Sequence, residues 1–330
     1  MADNSNIEWC HATVNAISGC TPISPGCANC FAMRAGGMGR PHHPSNGLTQ
    51  ESKAGHVWTG AVRLNETWLR RPLSWRRPRR IFWNAHGDAW HESVPVEWID
   101  RELAVAALTL QHIHLFLTKR STHMRRYFED PATPERVLDQ CRYLGGLPTR
   151  WQWPLPNVWL GVSVEDQTRA DERREDFRAT PGAVKFVSYE PALGPVDWEG
   201  WDFVHQIIGG GESGPNARPM HPDWQRATRD WCAPRGIAYF FKQWGEWSPY
   251  VRNSWANIKV IDQDGRCQSP DLFDSALARQ FKLASLTRVG KKAAGRLLDG
   301  VEHNAIPTGI NLPAVQFTKL TESFGLGGAA

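Results

Sequence analysis

The sequence predicts an α/β fold with a mostly parallel sheet, and three observations lead to this expectation. Short apolar runs alternate with helical segments along residues 81–241, which is typical of βαβ units. Polar or glycine residues follow each run, and in barrels and open sheets the site collects at that edge. The 330 residues accommodate a barrel of roughly 250 residues with additions. We therefore expect a partial TIM-like (β/α) barrel with irregular N- and C-terminal extensions.

Six apolar runs define the predicted strands, and one further strand is expected before Cys20. The runs cover residues 81–83, 112–117, 157–162, 184–187, 203–208 and 237–241. The predicted helices cover residues 96–109, 124–128, 134–142, 166–179 and 223–231. We expect residues 1–245 to form the barrel, with a loop of three cysteines near its start. Residues 246–330 are expected to pack on it as an extension, helical near 274–284 and frayed over 325–330.

Composition and charge limit the classes of protein to which the chain can belong. Hydrophobic residues make up 41% and charged residues 22%, as in globular proteins with a sizeable core. The formal net charge of +4 permits contact with nucleic acid without requiring it. Because the sequence has no apolar run of about 18 residues and no apolar N-terminal segment, we expect no membrane span and no signal peptide. The expected location is the cytoplasm, where thiols stay reduced.

Three of the seven cysteines lie close together in a segment rich in proline and glycine. Cys20, Cys27 and Cys30 follow the spacing C-x6-C-x2-C, and clustered thiols in a reducing compartment indicate metal or redox chemistry. Three thiolates suit a [4Fe–4S] cluster, holding three irons and leaving the fourth open. A structural zinc site and buried thiols without a ligand are the alternatives. The fourth zinc ligand would be Cys10, His11, His42 or His43.

Charged side chains follow several of the predicted strands. Lys119 and Arg120 come after the run 112–117, Glu190 comes after 184–187, and Lys242 comes after 237–241. Carboxylates buried at a strand edge need cationic partners. These residues are therefore candidates for a site at the barrel mouth, and a structural ring of ion pairs is the alternative.

A glycine-rich turn closes the run 203–208. Gly209, Gly210 and Gly211 would let a bound molecule approach the backbone closely. Glu212 would accept hydrogen bonds from an ammonium group or from ribose hydroxyls. A tight strand-to-helix turn without any ligand is the alternative interpretation.

Residues 69–80 form an arginine-rich segment, with six arginines in twelve residues and Trp75 among them. Arginine forks bind phosphate oxygens, and a tryptophan can stack on an unpaired base. The segment therefore indicates nucleic acid or a nucleotide as a substrate class, and a solvated, charged approach to a strand is the alternative. Residues 288–296 add a second basic segment.

From residue 6 to residue 309 the chain resembles a phage-associated family of three-cysteine proteins related to the radical S-adenosylmethionine superfamily. The stretches that carry the resemblance include Ile7-Glu-Trp9, Gly19-Cys-Thr21, Ser24-Pro-Gly-Cys27, Leu117-Thr-Lys-Arg120, Val158-Trp-Leu-Gly-Val-Ser163, Gly209-Gly-Gly-Glu-Ser-Gly214 and Phe240-Phe-Lys-Gln-Trp-Gly245. The first gap between cysteines is six residues, where the superfamily usually has three, and Asn29 replaces the usual aromatic residue. The resemblance implies a barrel of the radical S-adenosylmethionine type.

The resemblance further implies that a [4Fe–4S] cluster held by Cys20, Cys27 and Cys30 cleaves S-adenosyl-L-methionine to a 5′-deoxyadenosyl radical. The expected metal ligands are therefore these three cysteines. The residues expected to act in catalysis are Lys119, Arg120, Glu190 and Lys242. The residues expected to bind the cofactor are Ser163, Glu190, Gly209, Gly210, Gly211 and Glu212.

The predicted function is that of a radical S-adenosylmethionine enzyme that modifies DNA, RNA or a nucleotide. A cellular reductant such as flavodoxin would supply the electron, and no membrane partner is expected. Two alternatives stay open at this point. One is a zinc-stabilised nucleic-acid-binding protein without catalysis, and the other is a cluster protein that only senses or transfers electrons.

Overall fold

The computed structural model describes residues 5, 7–53, 55–250, 257–268, 276–280 and 282–308. Within them the strands are β1 (Ala12–Val14), β2 (Ile17–Ser18), β3 (Thr49–Ser52), β4 (Gly55–Trp58), β5 (Arg63–Leu64), β6 (Arg80–Trp83), β7 (Ile113–Thr118), β8 (Val158–Ser163), β9 (Val184–Tyr189), β10 (Gln206–Gly210), β11 (Ala238–Gln243), β12 (Trp247–Ser248), β13 (Ile258–Ile261), β14 (Cys267–Gln268) and β15 (Ala284–Arg288). The α-helices are α1 (Phe31–Gly37), α2 (Glu66–Leu69), α3 (Val96–Leu108), α4 (Ser121–Glu129), α5 (Thr133–Tyr143), α6 (Gln167–Ala179), α7 (Pro222–Cys232), α8 (Ala276–Gln280) and α9 (Lys291–Ala294).

Seven of these strands form the central sheet, in the order β1-β6-β7-β8-β9-β10-β11. Every neighbouring pair is parallel, and the sheet curls into a half barrel. Helices α3 to α7 lie in the crossovers, as expected for βαβ units. The α/β class and the partial barrel are thereby confirmed. Because all seven strands are parallel, their carboxyl ends lie at one edge of the sheet.

Alternating side chains divide the sheet into two apolar faces. Leu160 of β8 packs into the layer shared with the helices, whereas the neighbouring Trp159 points to the inside of the half barrel. On that inner face the ring of Trp9 lies 4.6 Å from that of Phe82 and 5.9 Å from that of Phe186. A sheet that is apolar on both faces is what a parallel sheet requires, and the N-terminal segment supplies part of the inner packing.

The predicted strands and helices of the barrel occur where the sequence indicated them, with one strand beginning later. The run 203–208 becomes a strand only from Gln206. Val204 donates its backbone N–H to the carbonyl of Trp201, 3.1 Å away, in a turn. The apolar side chains of 203–205 thus belong partly to the turn that enters the strand.

The expectation of an irregular C-terminal extension is wrong in one respect. Strands β12, β15, β13 and β14 form a small antiparallel sheet in that order. Trp247, Ile261 and Leu286 are buried in its core. The predicted helix near 274–284 appears as α8, although residues 271–275 and the frayed segment 325–330 lie outside the described residues.

The C-terminal extension returns to the barrel at the last strand of the central sheet. Phe241 in β11 donates its backbone N–H to the carbonyl of His303 over 2.9 Å. Arg226 of α7 binds both carboxylate oxygens of Asp299. These contacts attach residues beyond 245 to one flank of the half barrel.

Candidate functional site

A cavity of about 530 Å³ opens at the carboxyl edge of the central sheet. Its wall is formed by the ends of strands β6 to β11, by Lys291, and by the segment of residues 18–31, which we call the cysteine loop. The residues predicted from the sequence that line it are Cys20, Cys27, Cys30, Lys119, Arg120, Ser163, Glu190, Gly211, Glu212 and Lys242. The expected site therefore assembles in one place, except for Gly209 and Gly210.

The alternation of side chains along the strands explains which strand-end residues enter the cavity. In β7, Leu115 and Leu117 pack on the inner face of the half barrel, and Lys119 continues the same alternation beyond the strand. In β8, Trp159 on the inner face is followed at even spacing by Ser163. Because successive side chains alternate between faces, the inner positions at the strand ends point into the cavity.

The cysteine loop is fixed to the sheet by its backbone as well as by its side chains. Gly19 forms a parallel bridge with Gly87, and its N–H donates to the carbonyl of His86 over 3.0 Å. A short 3₁₀ helix covers Pro25–Cys27, and Cys30 precedes the first turn of α1. The three loop cysteines are free thiols that are partly exposed. The loop therefore presents three sulfurs to the cavity from a defined backbone.

The surroundings of two of the loop thiols, Cys20 and Cys30, raise their pKa and so disfavour the thiolate form. Burial and the Asp88 carboxylate raise the pKa of Cys20 to about 12 against the opposing effect of Arg120. Burial also raises the pKa of Cys30. The charge of Cys27 raises the pKa of both, which shows that the three sulfurs lie within electrostatic reach of one another. A metal centre bound here would release protons from its ligands.

Arg120 anchors the start of the cysteine loop. Its guanidinium donates to the hydroxyl of Thr21 over 2.7 Å and lies 3.6 Å from the sulfur of Cys20. The same side chain donates to Asp88 over 3.1 Å, and Asp88 also accepts from the hydroxyl of Thr118 over 2.7 Å. Both members of the Arg120–Asp88 ion pair are buried. Arg120 therefore holds the start of the loop, and Asp88, which fixes Arg120, was not among the site residues predicted from the sequence.

Glu165 anchors the middle of the cysteine loop. Its side chain is fully buried and accepts a hydrogen bond from the hydroxyl of Ser24 over 2.7 Å. Lys119 pairs with one carboxylate oxygen, and Arg173 donates to the other over 2.7 Å. Burial opposes ionisation, but the two cations outweigh it and lower the pKa of Glu165 to about 2. The carboxylate is therefore charged beneath the loop.

Glu212 anchors the end of the cysteine loop. It accepts hydrogen bonds from the side chain of Asn29 over 2.9 Å and from Arg218 over 2.5 Å. Arg218 also donates to the carbonyl of Pro25 over 3.0 Å. Although burial opposes it, these hydrogen bonds lower the pKa of Glu212. The oxygens of Glu212 are thus engaged with the loop.

The opposite wall of the cavity carries polar groups that contact one another. Lys242 and Gln243 of β11 donate to Glu190 over 2.9 and 3.0 Å. Ser163 and Ser188 stand side by side, because β8 and β9 pair these two residues in register, and both line the cavity. We call these five residues the open wall. They can offer a carboxylate, an ammonium group, an amide and two hydroxyls to a bound molecule.

The three glycines at the end of β10 and directly after it are needed mainly for close packing. A Cβ on Gly209 would lie 1.9 Å from the side-chain oxygen of Gln225 in α7, and one on Gly211 would lie 2.1 Å from the carbonyl of Trp244. Both positions fall on the outer face of the sheet, away from the alternation that carries Glu212 inward. Of the three glycines, only Gly211 lines the cavity.

A strained turn follows β6 at the cavity edge. Asn84, at φ +56°, donates to the buried Glu102 over 2.9 Å and accepts from the backbone N–H of Ile17 over the same distance. The other carboxylate oxygen of Glu102 has no hydrogen-bond partner. Burial raises the pKa of Glu102 to about 8, against the effect of Asn84. This neutral carboxyl group supports the turn from below.

The arginine-rich segment lies at the opposite edge of the sheet. Arg80 begins β6, whereas the cavity lies beyond Trp83 at the carboxyl end of that strand. The guanidinium of Arg79 lies 4.6 Å from the ring centroid of the buried Trp75, and Arg80 donates to the carbonyl of Trp9. Of the second basic segment, Lys291 lines the cavity. The two basic segments therefore serve different faces of the molecule.

Three of the four residues considered for a fourth zinc ligand make other contacts in the structure. Cys10 is buried in the inner apolar cluster, and His11 accepts from the N–H of Arg80 at the far edge of the sheet. His43 packs edge-on against His86, with ring centroids 4.7 Å apart. Among the described residues, no three Cys, His, Asp or Glu side chains converge on a point where one ion would bind. Ligands of a cluster differ in this respect, because each cysteine binds a different iron.

Sequence reasoning missed several residues of this site. Glu165, Ser188 and Gln243 stand at strand ends, so the rule that selected Lys119 would also have found them. Asn29 and Arg218 carry no such signal, because their contacts with Glu212 depend on how two distant loops meet.

Comparison with known proteins gives a match to a family model. No curated protein and no solved structure matches the chain. In the described residues, no helix has the length and apolar character needed to cross a membrane. A family model described as a protein of unknown function (DUF5131) matches residues 4–307, and since this covers most of the chain, the protein belongs to the DUF5131 family.

Proposed function

We propose that this protein is a radical S-adenosylmethionine enzyme whose cluster is held by Cys20, Cys27 and Cys30. The observation that carries the proposal is the gathering of three free thiols on one wall of a cavity at the carboxyl edge of a parallel half barrel. Sites in such folds collect at that edge. The described residues that line the cavity include these three cysteines and no histidine, and such a donor set suits iron and sulfide better than a single zinc ion.

When bound, the cluster would supply one electron that breaks the sulfur–C5′ bond of S-adenosylmethionine, giving methionine and a 5′-deoxyadenosyl radical. The chain's own residues would bind and orient the cofactor. Glu190 would accept hydrogen bonds from its ammonium group, with Lys242 and Gln243 holding the carboxylate in place. The hydroxyls of Ser163 and Ser188 would bond to its polar groups. Trp9 and Phe82 line the cavity floor and would exclude water.

The cavity size bears on the substrate. A space of about 530 Å³ is typical of a pocket for one small molecule, so a second molecule must lie largely at the mouth. Phe31 and Lys291 both line the cavity, where Phe31 is 52% exposed and the side chain of Lys291 is 47% exposed. An exposed ring with a cation suits stacking on a base and contact with a phosphate. We therefore propose nucleic acid or a nucleotide as the substrate class, with electrons from a cytoplasmic reductant such as flavodoxin.

The decisive experiment is anaerobic purification followed by analysis of iron, sulfide and zinc. We expect about four irons and four sulfides per chain and absorbance near roughly 400 nm, as for thiolate-held clusters. Reduction in the presence of S-adenosylmethionine should then release 5′-deoxyadenosine. Stoichiometric zinc without sulfide would reject the proposal in favour of the zinc-stabilised alternative. A cluster that releases no deoxyadenosine would favour a sensor or an electron carrier.

A matched pair of variants links the metal to the proposed ligands. Cys27→Ala should lose iron, sulfide and deoxyadenosine formation together, because it removes one of three ligands. Cys267→Ala is the control, since Cys267 is exposed and lies outside the cavity, and it should keep the iron content of the unmodified chain. Full iron content in Cys27→Ala would reject the ligand assignment.

A further inference from the structure

Glu165 occupies a position that neither the cluster nor the cofactor explains. It is fully buried at the end of β8, one side of its carboxylate facing Ser24 of the cysteine loop and the other facing Arg173 of α6. A buried charge is costly to desolvate and persists only when it is paired and hydrogen-bonded. Glu165 meets that condition with two cations and one hydroxyl.

The backbone of the loop closes against the same side chain. A Cβ on Gly26 would lie 2.6 Å from Cγ and from one carboxylate oxygen of Glu165, a separation at which one of the two must move. Gly26 precedes Cys27, and the Ser24 hydroxyl lies 3.6 Å from the sulfur of Cys27. Contact with Glu165 therefore fixes the loop within one residue of a proposed ligand.

We propose that Glu165 is a positioning residue that holds the cysteine loop in its ligand-presenting conformation before any metal binds. Lys119 and Arg173 pair with the Glu165 carboxylate and hold it in position. The loop can therefore bind, through Ser24, to a carboxylate whose position is already set. The nature of the bound centre rests on the proposed function, whereas the anchoring of the loop does not.

The alkylation rates of individual cysteines provide the test. The full-length chain is purified anaerobically with a chelator and treated with iodoacetamide, and the alkylation rate of each cysteine is measured by peptide mass spectrometry. Cys267 is exposed and reports the intrinsic rate, whereas Cys141 and Cys232 are buried in the core and report global unfolding. Cys27 and Cys30 report the loop.

Three variants separate the possible causes. Ser24→Ala removes the hydrogen bond, Gly26→Ala forces the loop away from the carboxylate, and Glu165→Gln removes the charge. Each should raise the alkylation rates of Cys27 and Cys30 by roughly tenfold relative to Cys267, the effect expected from losing one hydrogen bond to a charged group. Ile23→Ala is the matched control, since Ile23 lies in the same loop and its side chain is exposed, and it should leave these rates unchanged.

Unchanged loop rates in the three variants would overturn the inference. If Glu165→Gln also exposes Cys141 and Cys232, the decision rests on Ser24→Ala, which leaves every buried charge in place. In chain that binds a cluster, Glu165→Gln should raise the midpoint potential because it removes a nearby negative charge, and Ser24→Ala should not. Failure of the proposed function would appear as absent iron and sulfide in the unmodified chain, so the two failures are distinguishable.

Discussion

Two glutamates of this protein are equally buried, yet at neutral pH one is ionised and the other is neutral. Glu165 lies beneath the cysteine loop, and Glu102 lies beneath the turn that follows β6; both side chains are inaccessible to solvent. Glu165 is paired with Lys119 and Arg173, and its pKa is lowered to about 2. Glu102 accepts a hydrogen bond from Asn84 and forms no ion pair with a described residue, and burial raises its pKa to about 8.

The difference shows that the partners of a buried carboxyl group decide its charge, and burial alone does not.

The partners of the carboxylates also differ between the two walls of the cavity. On the wall of the cysteine loop, Glu165 and Glu212 accept hydrogen bonds from loop residues directly, and Asp88 holds the loop through Arg120. On the open wall, Glu190 is paired with Lys242 and faces the cavity. Strand-end carboxylates of similar placement thus differ in that some hold a loop, whereas Glu190 faces the cavity.

The largest effect that tests this comparison is expected in the pH dependence of the free energy of unfolding, and it is due to Glu102. Below about pH 4.5 the group is protonated in both the folded and the unfolded chain. As the pH rises to about 8, only the unfolded chain ionises, so stability falls by on the order of 4 kcal/mol. Glu102→Gln should remove this loss and should be more stable than the unmodified chain at pH 8. Urea unfolding at pH 5 and pH 8 measures the difference.

The control for Glu102 is Glu97→Gln, which changes an exposed residue of the same helix. It should follow the pH dependence of the unmodified chain. Should Glu102→Gln lose stability with rising pH as steeply as the unmodified chain does, the group is ionised in the folded protein and the contrast with Glu165 fails.

Glu165 is expected to show the opposite dependence on pH. Its lowered pKa stabilises the folded chain above about pH 4.5, and this contribution is lost as the pH falls toward about 2. The shift corresponds to roughly 3 kcal/mol at neutral pH. Glu165→Gln should therefore be less stable at pH 7 by about this amount, with the difference shrinking in acid. Glu175→Gln, on the exposed face of α6, is the control, and a constant difference between pH 7 and pH 3 would contradict the expectation.

Smaller effects, on cofactor affinity and on iron content, should distinguish the open wall from the wall formed by the cysteine loop. Glu190→Gln is expected to weaken binding of S-adenosylmethionine by roughly tenfold or more, the cost of losing a charged hydrogen-bond partner, while iron content stays unchanged. Asp88→Asn should lower iron content, because it frees Arg120 from its position beside Cys20. Calorimetric titration and iron analysis on both variants provide the measurements. Loss of iron in Glu190→Gln would show that both walls serve the loop.

The smallest effect on stability, iron content and cofactor affinity is expected for the arginine-rich segment, which lies at the edge of the sheet opposite the cavity. Arg76 and Arg77 are exposed in the arginine-rich segment, which approaches the N-terminal end of β6. The double variant Arg76→Ala and Arg77→Ala should change the free energy of unfolding by less than about 0.5 kcal/mol. Iron content and cofactor affinity should stay as in the unmodified chain. A drop in either would place this segment in contact with the cavity after all.

The barrel could be predicted from the sequence because its strands are continuous apolar runs with polar ends. The small C-terminal sheet could not, since β12 and β14 have two residues each and its core is drawn from Ala217, Trp247 and Leu286, which are far apart in the sequence. Strands this short carry no periodicity of their own.

At the site, sequence position showed which edge of the sheet a residue occupies but not where its side chain points. Lys119 and Arg120 were expected to face the substrate, and that role stays a prediction. In the structure they turn toward Glu165 and Cys20, respectively. Gly209 was expected to approach a cofactor, but it lies on the outer face against Gln225. Counting the alternation from Ile208, which is on the inner face, would have placed Gly209 on the outer face.

The packing inside the half barrel limits how a bound molecule could reach from the arginine-rich segment to the cysteine loop. The rings of Trp9, Phe82 and Phe186 fill the space below the cavity, and such interiors are packed cores, not pores. In the part of the chain that the structure describes, these rings occupy the direct path through the half barrel, so a molecule at the arginine-rich segment would have to pass around the outside to reach the cysteine loop. A flexible strand long enough to reach around the molecule can touch both faces at once, whereas a single nucleotide can occupy only one.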